Sequence, residues 1–363
     1  MTRYLLAGGG TAGHVNPLLA VADRIADREP DAVILVLGTA EGLEARLVPD
    51  RGYQLLVVPR VPFPRRPNAA ALRFPGRFSA IVAQIRGLIR EHQIDALVGF
   101  GGYVSAPAYL AARREHIAIA VHEANARPGI ANRFGAVLTR YVGVAFRSAR
   151  LPHARFVGMP LRSEIESLDR PAERRDAIKF FGLSPNRPTL LITGGSLGAK
   201  RINETVYEAA ATIVGAGWQI LHITGLRSEL PKSTLGHYLL VPYCDRMELA
   251  LAAADLAIAR AGSATVSEFS ALGVPAVYVP LAVGNGEQRL NVRDVVAAGG
   301  ALSVDNANFT PEWILDELVP VLQNRALIAG MAARSLSVGV LDGTDRMVDL
   351  VADAVAATVD LSR

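Results

Sequence analysis

Residues 255–291, DLAIARAGSATVSEFSALGVPAVYVPLAVGNGEQRLN, decide the fold. DLAIA is a short apolar run of the kind that forms a parallel strand buried on both faces. It ends at Arg260-Ala261-Gly262, where small residues permit a tight turn. Ser263, Ala264 and Thr265 then open a helix running to about Leu272, which Gly273-Val274-Pro275 stops before AVYVP begins the next strand. The first amides of such a helix have no partner within it, so its start suits an anion such as a diphosphate. Glu268, one turn further in, is placed to accept hydrogen bonds from two ribose hydroxyls. The next loop, Gly284-Asn285-Gly286-Glu287-Gln288, offers polar side chains of a length suited to sugar hydroxyls. An ordinary βαβ unit with a capped helix would show the same strand, turn and helix, so the ligand reading needs the rest of the chain.

At 363 residues the chain is long enough for two domains, each burying its own core. Half of it is hydrophobic and a fifth charged, which is globular rather than disordered. A lone cysteine excludes a disulfide framework and a Cys-based metal site, and fits a reducing compartment. The opening MTRYLLAGGGTAGH enters a strand and a glycine turn directly, unlike a signal peptide. No apolar run approaches the length of a membrane span.

Charge is uneven. Residues 1–160 hold 20 Arg, no Lys and 11 acids, net +9, whereas residues 161–363 hold 18 Lys and Arg against 23 acids, net −5. Between Arg51 and Arg90 there is no acidic residue at all. Within that span Arg60, Arg65, Arg66, Arg73 and Arg77 interleave with Phe63, Leu72, Phe74 and Phe78. Guanidiniums for lipid phosphates beside rings for the acyl boundary suit an anionic membrane surface. A solvated Pro-rich loop with its Phe residues packed inward is the alternative. Nucleic acid is not expected, since no helix-turn-helix, zinc or RNP-type pattern is present.

The same architecture occurs twice. Tyr4–Ala7 reads as a strand, Gly8–Gly13 as a glycine turn and Pro17–Arg28 as an amphipathic helix with Pro in its first turn. Further strands are expected at Ala32–Leu37, Ala96–Gly99 and Ala118–His122. The pattern restarts with a strand at Thr189–Thr193, the turn Gly194–Gly198 and a helix at Ala199–Val214. Later strands are expected at Gln219–Thr224, Leu239–Val241, Leu256–Ala259 and Ala276–Val279. This alternation predicts an α/β protein of two doubly wound, Rossmann-like domains facing a cleft, with ligands at the carboxyl ends of the strands. The expected divisions are 1–160, 161–340, and a helix in 341–363 that crosses back to pack on the first domain.

Gly8, Gly10 and Gly13 fit the dinucleotide spacing, and Asp31 falls near the expected distance, though before the second strand rather than at its end. The residues after the turn argue for other chemistry, because His14 and Asn16 fall at the helix start as reactive side chains. The second turn, GGSLGAK, lacks the Lys-Ser/Thr ending of a Walker loop but brings Ser196 and several amides to the strand end.

Six ordered segments, GGGTAGHVNPLLAVA, VGFGGYVSAPAYLAA, VHEANARPGIANR, VGMPLR, ITGGSLGAKRIN and RAGSATVSEFSALGVPAVYVP…EQRLN, together resemble the MurG family. The resemblance implies the GT-B fold. It also implies inverting transfer of N-acetylglucosamine from UDP-N-acetylglucosamine to the 4-hydroxyl of the muramyl sugar of lipid I, at the cytoplasmic face of the cell membrane. No cofactor or active-site metal is implied. Carried over by position, Thr11, Ala12 and Gly13 would hold the acceptor diphosphate and approach the donor sugar. Asn125, Arg162, Ser196, Cys244, Gln288, Asn291 and the segment Ser263, Ala264, Thr265, Val266, Ser267, Glu268 would contact the donor. Three positions depart from the pattern: Ala12 stands for a glycine, Cys244 for an isoleucine, and Glu287-Gln288 for a Gln-Gln pair.

For chemistry, His14 is the candidate base, since an imidazole takes a proton near neutral pH. Glu123 is the rival, with a structural role beside Asn125 as its alternative. Another GT-B enzyme acting on an antibiotic or a diacylglycerol, and an NAD oxidoreductase or nucleotide binder, are the competing functions.

Overall fold

The computed structural model describes residues 1–64, 69–281 and 286–361. The chain divides into two compact units, Met1–Arg162 with Asp342–Arg363, and Ser163–Leu341.

The first unit is built on seven parallel strands: β1 (Arg3–Ala7), β2 (Val33–Gly38), β3 (Gln54–Val57), β4 (Ala96–Gly99), β5 (Ala118–Glu123), β6 (Tyr141–Val144) and β7 (Ala154–Phe156). Their order is β3-β2-β1-β4-β5-β6-β7, so the winding reverses between β1 and β4, and the glycine turn after β1 sits at that switch point. One sheet face packs Tyr4, Leu6, Val36 and Val98 against helix Ala12–Arg28; the other packs Leu5, Leu35, Leu97 and Val121 against helices Ala69–Glu91 and Ser105–Arg114. This two-sided burial is why the strands read as continuous apolar runs.

The final helix, Gly343–Leu361, belongs to this unit. Met347, Val348, Leu350, Val351 and Ala354 enter its core, and Asp345 and Asp349 pair with Arg24 and Arg28. Burying the larger four contributes on the order of 10 kcal/mol before entropy is counted, whereas the half-exposed ion pairs add about 1 kcal/mol or less each. By length and composition, residues 325–358 could cross a bilayer, although no uninterrupted apolar run marks them. The chain breaks this stretch at residues 339–342 into two helices, and the second is committed to the core.

The second unit repeats the plan with six parallel strands, β8 (Thr189–Thr193), β9 (Gln219–Ile223), β10 (Tyr238–Val241), β11 (Leu256–Ala259), β12 (Ala276–Tyr278) and β13 (Ala301–Ser303), ordered β10-β9-β8-β11-β12-β13. The switch point lies between β8 and β11. The turns after these two strands, Gly194–Gly198 and Arg260–Gly262, therefore open at the same sheet edge.

Three local expectations change. The first helix begins at Ala12, five residues before Pro17, which lies inside it. A Pro at the first position is a common start signal, but here the glycine turn sets the start and Pro17 leaves the Gly13 carbonyl without its helical donor. Much of the Pro-rich stretch after Arg60 forms helix Ala69–Glu91, with Pro75 in its second turn. Strands β3, β6, β7 and β13 are not among the expected ones; β3, β7 and β13 are edge strands whose partial exposure interrupts the apolar run.

Candidate functional site

In the second unit the two turns at the switch point enclose a cavity of about 620 Å³. Thr193, Gly194, Gly195 and Gly198 from the first turn, Gly262 and Thr265 from the helix start, and Gln288 line it. The helix runs Ser263–Ala271 with Gly262 as its cap, and its first backbone bond is Val266 N–H to Gly262 C=O at 2.9 Å. The amides of Ser263, Ala264 and Thr265 precede that bond and have no acceptor within the helix. Gly198 has φ +84°, and a Cβ there would collide with the Thr224 carbonyl, so only glycine lets this turn pack against the end of β9.

Several expected contacts are placed differently. Val266 is buried, and its amide is spent on the first helical turn. Its side chain packs inward, which sequence spacing along so short a helix does not reveal. Asn291 is 1% exposed and donates from Nδ2 to the Ala261 carbonyl at 3.2 Å, so it braces the turn before the helix instead of presenting an amide to a sugar. Gln288 does line the cavity, with Oε1 accepting from Leu281 N–H at 2.9 Å. Ser196 is exposed in the first turn, and Ser267 and Glu268 are half-buried on their helix. Ser263 is buried, Ala264 and Cys244 are half-buried, and none of the three lines the cavity. Gly284 and Asn285 lie outside the described residues.

The cavity's cations were not anticipated from sequence. Arg260, Lys200 and Arg201 line it with Asn306 and Glu204, the last paired with Lys200 at 3.7 Å. Arg260 is held by the Val279 carbonyl at 2.9 Å and Asn306 Oδ1 at 2.7 Å, and burial lowers its pKa from the ordinary arginine value. A desolvated, braced guanidinium at a helix start is suited to a diphosphate. Its position at the end of β11 was the available signal, obscured by reading Arg260-Ala261-Gly262 only as a turn.

In the first unit a smaller cavity, about 220 Å³, lies at the switch point. Gly9, Gly10 and Thr11 line it with Thr39, Glu41, Gly42, Glu44, Arg60 and Tyr103. Thr11 caps helix Ala12–Arg28 through its backbone carbonyl, which accepts from His14 and Val15. His14 Nδ1 lies 3.1 Å from the Gly9 carbonyl and 3.4 Å from Thr11 Oγ1. A carbonyl can only accept, so Nδ1 carries a hydrogen, and in the neutral ring the lone pair is then on Nε2. That is the tautomer a base requires. Gly13 is half-buried behind it.

Glu123 is 2% exposed at the end of β5. Oε1 accepts from Asn125 N–H at 2.8 Å, and Oε2 from Gly129 N–H and Asn132 Nδ2, each at 3.0 Å. With both oxygens engaged, Glu123 braces the loop that carries Asn125 and is displaced as a base. Asn125 is half-buried in that loop, and Arg162 is half-buried as the unit's last residue before Ser163. The dinucleotide reading fails here too. Asp31 sits exposed in the turn before β2, at the wrong end of the strand to meet a ribose, and the Gly10 amide is already bound by Glu44.

Arg60 stacks on the Tyr103 ring at 4.6 Å and so belongs to this cavity, not to the arginine–phenylalanine stretch. In that stretch Phe63, Phe74 and Phe78 form a chain of ring contacts at 5.1 and 5.5 Å. Phe63 and Leu72 are exposed, as are Arg73 and Arg77, while Phe78 packs on the core. Arg65 and Arg66 lie outside the described residues.

Residues 4–144 match the glycosyltransferase family 28 N-terminal domain, and residues 189–347 match its C-terminal domain. The crystal structure of MurG from Acinetobacter baumannii aligns with a TM-score of 0.78 at 28% identity, covering 97% of this chain and 100% of that one. A relative from Leifsonia xyli subsp. xyli is named UDP-N-acetylglucosamine--N-acetylmuramyl-(pentapeptide) pyrophosphoryl-undecaprenol N-acetylglucosamine transferase. It is 62% identical over 357 residues, covering 98% of this chain and 100% of the relative. The chain belongs to the MurG family.

The two units accordingly make up the GT-B fold of the MurG family. That fold is shared more widely, since the glycotransferase of kitacinnamycin aligns with a TM-score of 0.71 at only 17% identity, covering 97% of this chain and 98% of that one. At that distance only the fold is common, and the site decides the chemistry.

Proposed function

We infer that this chain is a UDP-N-acetylglucosamine-dependent glycosyltransferase that moves N-acetylglucosamine from UDP-N-acetylglucosamine to lipid I, giving lipid II for peptidoglycan synthesis. The observation that carries this is full-length identity of 62% to a relative so named. It excludes the antibiotic- and diacylglycerol-directed alternatives.

The second unit carries the donor. Its diphosphate meets the helix start, where Thr265 and the guanidinium of Arg260 line the cavity, and Glu268 takes the ribose. The first unit carries the acceptor and the base. The 4-hydroxyl oxygen of the muramyl sugar attacks the anomeric carbon from the face opposite UDP, forming the new C–O bond as the bond to the phosphate oxygen breaks. The hydroxyl proton passes to His14 Nε2, and the electron pair leaves with UDP, inverting the anomeric centre. Preorganised amides facing the developing phosphate charge are worth roughly 10²–10³ in rate per donor.

Phe63, Leu72, Phe74, Arg73 and Arg77 form the surface we propose for anionic membrane, at the cytoplasmic face. The exposed Phe63 and Leu72 beside the exposed guanidiniums, on one helix and its approach, support this reading.

The direct assay is incubation of the purified chain with radiolabelled UDP-N-acetylglucosamine and lipid I. Label is expected in the lipid fraction. Transfer to a diacylglycerol with none to lipid I would overturn the assignment.

A further inference from the structure

Glu44 is the most deeply buried carboxylate among the described residues of the first unit, with no exposure. Its Oε2 accepts from Gly10 N–H at 2.8 Å, and its Oε1 accepts from Thr39 N–H at 3.0 Å and Thr39 Oγ1–H at 2.8 Å. Room for it is made by glycine. A Cβ on Gly9 would collide with Oε1, one on Gly42 with Oε2, and one on Gly38 would lie 2.5 Å from the Glu44 Cγ. Burial alone would raise the Glu44 pKa, but the hydrogen bonds from Gly10 and Thr39 outweigh it and leave the group below the ordinary glutamate value. It is therefore ionised throughout the neutral range.

The Gly10 N–H that Glu44 binds and the Gly9 C=O that His14 binds are the two ends of one peptide group. A planar amide transmits both position and polarisation: an anion on its N–H end fixes its plane and makes its oxygen a stronger acceptor. We propose that Glu44 is a positioning residue for sugar transfer, acting through the Gly9–Gly10 peptide to hold the His14 imidazole in the Nδ1–H tautomer with Nε2 free to accept the acceptor's proton. This rests on the reading of His14 as the base. It also assigns the Gly10 amide, which a glycine turn would otherwise offer to a phosphate, to an internal anion.

The test uses the full chain with ring-¹⁵N histidine labelling. In the wild type His14 shows the Nδ1–H tautomer. Glu44→Gln keeps the side-chain volume and removes the charge. Gly42→Ala keeps Glu44 but places a methyl group where the carboxylate lies, at a backbone angle alanine tolerates. Both are expected to give a mixed His14 tautomer and a fall in kcat of about tenfold or more, with KM for UDP-N-acetylglucosamine unchanged, as loss of a charge-assisted contact implies. Gly215→Ala, in open space at the end of a second-unit helix, is expected to be silent. If Glu44→Gln does not fold, Thr39→Val is read in its place; it removes one donor, and a smaller shift in the same two readouts is expected. A purely structural Glu44 would lower the melting temperature and the active fraction while His14 kept its tautomer, and that result overturns the proposal. The two readings separate cleanly. If His14→Ala transfers sugar normally, the base assignment fails; if His14→Ala is inactive while Glu44→Gln keeps tautomer and kcat, only the role of Glu44 fails.

Discussion

The two units carry the same device, a glycine turn between a first strand and a helix, in two different states. In the first unit the turn is filled from within: Glu44 takes the Gly10 amide, and the cavity beside it is about 220 Å³. In the second unit the cavity at the turn is about 620 Å³, and Arg260, Lys200 and Arg201 line it. One turn has its anion built in; the other is lined by three cations and Glu204, and under the proposed function it receives the donor's diphosphate. Strand order and glycine placement thus fix where a site lies, and the charge beside the turn fixes what it binds. This is why the first turn, despite its dinucleotide spacing, is not a dinucleotide site.

The largest effect expected from breaking this contrast is on turnover. His14→Ala should lower kcat by roughly 10²–10⁴, the span of general-base contributions, while calorimetry shows unchanged binding of UDP-N-acetylglucosamine. Undiminished turnover would remove the base from the first turn. Next, Arg260→Ala should weaken donor binding by about tenfold or more, as expected for loss of a charge-assisted hydrogen bond, with lipid I KM unaffected; an unchanged donor Kd would leave the second cavity without its main cation.

Stability against pH probes both units at once. Burial lowers His122 in the first unit to about 4 and His222 in the second to about 3, against 6.5 when unfolded. Both are neutral in the folded chain, so their stability contribution is complete above pH 6.5 and is lost as pH falls toward those values. At the acid end His122 costs about 3 kcal/mol and His222 about 5 kcal/mol. Melting curves should show His122→Gln blunting the acid sensitivity of the first unit and leaving the second unit's intact. The smallest expected effect concerns the membrane surface. Arg73→Gln should reduce sedimentation with anionic vesicles by about fivefold, as about 1 kcal/mol per charge implies, while transfer to a soluble lipid I analogue stays normal.

Much of the fold was legible in the sequence because it depends on period and punctuation. The apolar runs at Tyr4–Ala7, Thr189–Thr193 and Leu256–Ala259 are buried, and the glycines between them mark the turns. The hidden features depend on contacts across long sequence separations. Glu44 lies 34 residues from Gly10, and no local pattern marks a carboxylate that three glycines enclose. Arg260 gains its role from Asn306, 46 residues on. Asn291 and Glu123 were visible as polar residues in the right segments, but burial made them braces, which depends on packing rather than spacing.

Hydrogen–deuterium exchange with and without UDP-N-acetylglucosamine tests the contrast most directly. Protection is expected at the amides of Gly194–Gly198 and Ser263–Thr265, with none gained at Gly8–Gly13. Protection centred on the first turn, with the second unchanged, would contradict this division of roles.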